Sequence, residues 1–128
     1  MAGELTSAAQ EFLAALDARD VDRLTGRFTD DAQGVDEISR RWLRGPDEVR
    51  AYARQLVSMV TGVKTVFSDG NETVDGDTGL LTCWMEQDYQ IDGAAQHVSA
   101  PTTVMFKRES GVWKMNLFHS IPLAEEAP

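Results

Sequence analysis

Residues 28 to 39 read FTDDAQGVDEIS, and Asp36 stands where a short apolar–polar alternation ends, just before Glu37 and Ile38. A carboxylate there has two readings. It closes a strand as a surface charge, paired with Arg40 or Arg41, or it points into an apolar pocket, where desolvation suits a carboxylate to general-base work. Further along, strand alternation through LLTCWMEQDYQ puts Leu81, Cys83, Met85, Gln87 and Tyr89 on one face. That face passes from apolar to polar, as the closed base and wetter mouth of a cavity would. Gln87 and Tyr89 then line the mouth, with Tyr89 as a donor; otherwise Tyr89 packs its ring at a rim and hydrates its hydroxyl.

His119 falls in register with Trp113, Met115 and Leu117 and is expected to face inward. There it acts as donor or base, or rests as a neutral imidazole satisfied by one partner. His97 is expected to be exposed. Two distant histidines without an HxxxH pair or clustered cysteines give no metal site. Trp42, in RRWLRG, is expected to wall the pocket or to lie in the core. Tyr52 belongs to a helical stripe, with its hydroxyl reaching toward the mouth. No glycine-rich phosphate loop, nucleophile elbow or zinc-protease helix occurs, which removes nucleotide-dependent and serine-hydrolase chemistry.

The elements that must hold these residues are written in the periodicity. Residues 4 to 18 predict a helix with Leu5, Ala9, Phe12 and Leu16 on one face, opened by a capping box of Ser7 and Gln10. Asp20 is placed to cap a short second helix. DAQGVDEIS reads as a strand broken at Gly34, and RRWLRG as another short one. GPDEVRAYARQLVSMVTG predicts the clearest helix, with Pro46 at its first position, an apolar stripe through Val49, Tyr52, Ala53, Leu56 and Val60, and Gly62 closing it.

Beyond Gly62 the period changes from helical to alternating. Four strands are predicted at about 63 to 74, 78 to 91, 96 to 108 and 112 to 121, separated by DG, DG and SG pairs that signal hairpins. Helices first and an antiparallel meander afterwards give an α+β fold with helices on one sheet face. The whole chain, 1–128, reads as one domain with a loose tail from 122.

With 128 residues and a net charge of −9, the chain lacks the basic excess that nucleic acid or an anionic membrane requires. Cys83 is the only cysteine and lies in an apolar run, so it is expected to be a buried thiol and no disulfide framework exists. No basic leader opens the chain and no apolar run approaches the ~20 residues of a membrane span. The cytosol is the expected compartment. Trp84, on the opposite strand face from Tyr89, implies a covered outer surface and hence a homodimer.

The order of helix, short helix, F-x-D-D-A, strand, RG-x-x-x-[IV], helix and a meander ending WKMNLFHS resembles the nuclear transport factor 2-like superfamily, in particular its SnoaL-like and ketosteroid-isomerase-like branches. The resemblance extends over about residues 5 to 123. It implies a cystatin-like conical roll: helices packed in the concave face of a curved, mostly antiparallel sheet, with one open mouth and pairing through the outer face. In ketosteroid isomerases the segment D-D-A-T-V-E-D-P carries the general base at its last Asp, which falls on Asp36, while Glu37 replaces the proline. Their two oxyanion donors, a Tyr and a protonated Asp, fall on Phe12 and Thr102, which the resemblance assigns to the ligand site. Each missing donor commonly costs ~3–4 kcal/mol of transition-state stabilisation, so a steroid isomerase is disfavoured.

What remains is a small-molecule pocket protein. It would bind a compact, hydrophobic, carbonyl-bearing ligand and, if catalytic, perform cofactor-free isomerisation, dehydration or cyclisation, with Asp36 or His119 as base and Tyr89 as donor. The alternative is a non-catalytic association module with a filled cone. An open, polar-lined cavity separates the two.

Overall fold

The computed structural model describes residues 3–124. Its elements run α1 (Glu4–Asp17), α2 (Val21–Thr25), β1 (Phe28–Asp36), β2 (Leu43–Arg44), α3 (Gly45–Met59), β3 (Val60–Asp75), β4 (Thr78–Ile91), β5 (Ala94–Glu109) and β6 (Val112–Ser120). Residues 122–124 carry no regular structure, and the rest of the expected tail lies outside the described residues. No helix among them is long and apolar enough to cross a membrane.

The six strands form one curved sheet in the order β2-β1-β6-β5-β4-β3. Every neighbouring pair is antiparallel except β1 with β6, which is parallel. Two hairpins turn on the predicted dipeptides, and the first turns one residue later than predicted, over Gly76 and Asp77. Asp92 and Gly93 both have positive φ (50° and 83°), as do Ser110 and Gly111 (51° and 79°). Positive φ at both central residues defines the tight turn whose twist matches that of the flanking strands.

Two apolar clusters join the helices to the concave face. Leu5, Ala8 and Ala9 of α1 pack on Leu81, Val104 and Phe106, while Tyr52, Ala53 and Leu56 of α3 pack on Tyr89, Val98 and Ala100. The alternation of β5 is strict across this surface, with Val98, Ala100, Thr102, Val104 and Phe106 all buried. Taking one large aliphatic or aromatic side chain of this set out of water contributes about 1.5–3 kcal/mol.

Four local expectations need correction. α1 has no side-chain cap from its own sequence. Instead Glu72 of β3 reaches across, its carboxylate accepting from the backbone N–H of Leu5 (2.9 Å) and Thr6 (3.0 Å) and from the Thr6 hydroxyl. A negative group at a helix N-terminus satisfies otherwise orphaned donors and complements the dipole. Asp20, by contrast, caps α2 as its spacing predicts, accepting from Arg23 N at 3.0 Å.

Gly34 does not break β1, which runs through it. A Cβ at this position would stand 2.0 Å from the Phe118 ring, so the glycine makes room for an aromatic on the adjacent strand. Gly62 does not close α3 either. The helix passes straight into β3 at Val60, and Gly62, with φ of +64°, sits where the register of β3 against β4 shifts. Pro46 is not the first helical residue but the second, after Gly45.

Candidate functional site

The helices and the concave sheet enclose a cavity of about 110 Å³, counted as space open to the centre of a water molecule. A single water needs roughly 10–15 Å³ on that measure, so the space admits several waters or one compact molecule. Its walls are mostly aliphatic and aromatic. Of the sequence candidates, Asp36, Tyr89, Tyr52, Gln87, Thr102 and Phe12 line it.

Asp36 ends β1, and the turn after it folds back on its carboxylate. Oδ1 accepts from Ile38 N (3.0 Å) and Ser39 N (2.8 Å), while the Asp36 backbone carbonyl accepts from Arg40 N (3.0 Å). This is a side-chain-capped turn of the kind short acidic residues form. Oδ2 accepts from the Tyr52 hydroxyl, which α3 delivers from a residue only 6 % exposed. The carboxylate is therefore neither a free surface charge nor paired with Arg40 or Arg41.

Tyr89 is 5 % exposed, and its hydroxyl donates to Glu37 Oε1 at 2.6 Å. Glu37 also lines the cavity. Periodicity could not place it, because it stands one residue past the end of β1, where strand alternation has stopped applying. The available signal was its substitution for proline in the resembling segment. Burial, and then the adjoining carboxylate, pushes the Tyr52 phenol well above the ordinary tyrosine range, and burial followed by Glu37 does the same to Tyr89. Both phenols thus act as neutral hydrogen-bond donors at physiological pH.

The remaining polar wall is uncharged. Gln87 Nε2 donates to Thr65 Oγ1 at 2.9 Å. Thr102 and Ser120 share a hydroxyl–hydroxyl hydrogen bond of 2.8 Å. Ser120 pairs with Asp36 on one side and Thr102 on the other, so the three lie on one rung across β1, β6 and β5. Ser120 was missed because the alternation of β6 is not continuous. Between Met115 and Leu117 the register against β5 slips by one residue, leaving Asn116 extra. Such a bulge inverts which residues face the core.

The same bulge turns His119 out. Trp113 and Met115 are buried, but beyond Asn116 it is Phe118 and Ser120 that reach the cavity, and His119 is exposed. The inward placement of His119 is corrected on that ground. Trp42 is corrected as well: it is 43 % exposed on the segment before β2, its ring 6.3 Å from that of His119 and 5.4 Å from the Arg44 guanidinium carbon. It neither walls the cavity nor joins the core. His97 is exposed as expected and lies between Glu86 (3.0 Å) and Asp88 (2.7 Å); chiefly its hydrogen bond with Asp88 raises its pKa. Cys83 is buried, and burial pushes its thiol up. Among the described residues no group of three His, Cys, Asp or Glu is placed to hold a metal ion.

Residues 5–124 match the family described as SnoaL-like domain. Among solved structures, a candidate dehydratase of the nuclear transport factor 2-like family from Streptomyces avermitilis superposes with a TM-score of 0.84 at 19 % identity, covering 95 % of this chain and 96 % of that one. A candidate calcium/calmodulin dependent protein kinase II association domain from Xanthomonas campestris gives 0.85 at 16 %, covering 96 % and 88 %. A ketosteroid isomerase-like protein from Erwinia carotovora atroseptica gives 0.76 at 14 %, covering 94 % of each. At these identities the likeness is one of fold. Among curated proteins none matches the sequence.

Proposed function

This chain belongs to the SnoaL-like domain family, and we propose that its cone binds a compact, mainly apolar molecule bearing a carbonyl group and moves a proton on it with the chain's own side chains. The observation that carries this reading is the pair of carboxylates, Asp36 and Glu37, each fixed by a buried phenol on the wall of an otherwise apolar cavity. A carboxylate in that position takes a proton from the carbon next to the carbonyl. The C–H electron pair becomes the double bond of an enolate, and the charge on oxygen is met by the Ser120 hydroxyl. Both phenols already donate to the carboxylates, whereas the Ser120 proton is free when Thr102 donates in the bond between them. Returning the proton to another carbon isomerises the molecule; delivering it to a β-hydroxyl releases water. The name of the Streptomyces neighbour is in keeping with the second outcome.

The test uses 2-tetralone, a compact ketone with acidic α-protons. Deuterium uptake at those carbons, followed by NMR in deuterated buffer, is expected to be faster with the protein than without it. Met85→Trp, which fills the cavity, is expected to remove the acceleration. A folded filled variant that exchanges as fast as the wild type overturns the reading.

The outer sheet face supports a second, compatible role as a homodimer interface. Leu80, Met105 and Leu117 lie on one rung across β4, β5 and β6 with their side chains on the convex side, and Trp84 and Val66 share that face. Val66 is 63 % exposed. An apolar strip of this kind on a sheet is the sort of surface that association covers, and the Xanthomonas neighbour carries association in its name.

A further inference from the structure

Asp36 stands where the resembling enzymes keep their base, yet its carboxylate has little left to accept with. Oδ1 takes two backbone donors and Oδ2 takes the Tyr52 hydroxyl, which occupies three of about four lone-pair positions. A base must present a free lone pair to the proton that it removes. Glu37 differs. Its Oε1 accepts from Tyr89, and Oε2 has no hydrogen-bond partner among the described residues. Neither carboxylate forms an ion pair there, and no lysine or arginine lines the cavity. Glu37 is therefore a carboxylate with one oxygen anchored, the other free, and no cation holding it.

The same hydrogen bonds explain how Glu37 is aimed. The Asp36 carboxylate caps the turn over residues 37 to 39, and the Ser39 hydroxyl accepts from Asp36 N at 3.0 Å, closing it from the other side. Arg40, at φ of +54°, reverses the chain just beyond. Glu37 thus leaves a short, hydrogen-bonded turn rather than a loose loop, and Tyr89 fixes its far end. Only the proline-to-glutamate departure makes this arrangement possible.

Resting on the proton-transfer reading above, we infer that Glu37 is the side chain that takes the proton, through Oε2, and that Asp36 is a positioning residue that holds the turn. The step balances without a co-reactant. The α-carbon's C–H bond breaks, an O–H bond forms on Glu37, the electron pair enters the enolate, and the proton later leaves Glu37 for carbon or for departing hydroxide.

The experiment is the pH–rate profile of 2-tetralone exchange in the wild type, Tyr89→Phe and Tyr52→Phe, with Glu37→Ala measured with and without added formate. A carboxylate stripped of a donor holds its proton to higher pH, so the acid limb follows whichever phenol serves the base. The limb is expected to move to higher pH in Tyr89→Phe and to stay in place in Tyr52→Phe. Glu37→Ala is expected to lose about 100-fold or more of the rate, with formate restoring part of it. A limb that answers to Tyr52→Phe alone, or a folded Glu37→Ala that exchanges like the wild type, overturns the assignment and returns the base to Asp36. Absence of acceleration by the wild type, with 2-tetralone still shifting the Met85 methyl resonance, removes proton transfer and this assignment together while leaving binding in place.

Discussion

The hydroxyl of Tyr52, on α3, donates to the Asp36 carboxylate at the end of β1. One hydrogen bond thus ties the central helix to the strand end whose turn carries Glu37. Hydrogen bonds to charged groups contribute roughly 1.5–3 kcal/mol, and Asp36 is only half-buried, so water can replace part of what is lost. Tyr52→Phe is expected to lower unfolding stability by about 1–2 kcal/mol, read as a shift in the urea midpoint with an unchanged slope. A midpoint equal to that of the wild type would show that the bond adds nothing to the fold.

The same phenol predicts an alkaline limit. Its pKa is raised in the folded state, by burial first and the Asp36 charge second. A raised acid loses its proton in the unfolded chain before it does so in the folded one. Its stabilising contribution is full below about pH 10 and is lost as pH rises toward the folded value, by up to about 1.4 kcal/mol per pH unit. Urea unfolding between neutral pH and pH 11 or so should show this fall in the wild type and a shallower one in Tyr52→Phe. Parallel curves would contradict it.

Glu72 predicts the opposite limit. Burial alone would raise its pKa, but the donors of Thr6, Leu5 and Gly3 outweigh burial and lower it. A lowered carboxylate contributes stability above its unfolded value, near 4.3, and that contribution disappears as pH falls through the folded value. Glu72→Ala is expected to cost about 1 kcal/mol at neutral pH, the usual loss of a helix cap, and to approach the wild type in acid. Thermal melts at pH 7 and below pH 4 or so check both halves.

Much of this arrangement was legible wherever a period held. The 3.6-residue stripe of the third helix put Tyr52 on the inner face, alternation along β4 put Gln87 and Tyr89 there, and the family resemblance supplied Thr102. It failed where a period was interrupted. His119 was read through Asn116 as though no residue were extra, and one inserted residue inverts everything beyond it. Trp42 lies between elements, where nothing periodic constrains it. Glu37 follows a strand end, and its orientation depends on a turn built from Asp36 and Ser39, which only a tertiary partner such as Tyr89 completes. The α1 cap came from Glu72, a residue 67 positions from the backbone N–H it accepts from, and no local motif encodes that.

Gly34 turns such a tertiary demand into a test. Its place in β1 is set by the Phe118 ring, which a Cβ would meet at 2.0 Å, and Phe118 also lines the cavity. Gly34→Ala must push the ring toward the cavity or part β1 from β6. Overpacking of this kind costs about 1–3 kcal/mol, so the melting temperature is expected to fall by several degrees. Gly34→Ala with Phe118→Leu should recover part of the loss, because the smaller side chain vacates the space. A single variant that melts with the wild type would mean that the ring moves freely.

The convex face carries the last expectation. Trp84 is held there by its indole N–H, which donates to Ser99 Oγ at 2.6 Å, and Ser99 in turn donates to Glu86 Oε1 at 2.8 Å. The indole nitrogen is therefore satisfied within the chain, and a partner would cover the ring and its apolar neighbours without leaving a donor buried and unpaired. Sedimentation at tens of micromolar is expected to show a dimer. Met105→Lys, which sets a charge in the middle of the Leu80–Met105–Leu117 rung on the face away from the core, should yield a folded monomer, since an uncompensated charge cannot be buried cheaply. A wild-type monomer would remove the dimer, and a dimer indifferent to Met105→Lys would place association elsewhere. The cavity lies on the opposite side of the sheet, so the tetralone exchange expected of it should be the same in the monomeric variant as in the dimer.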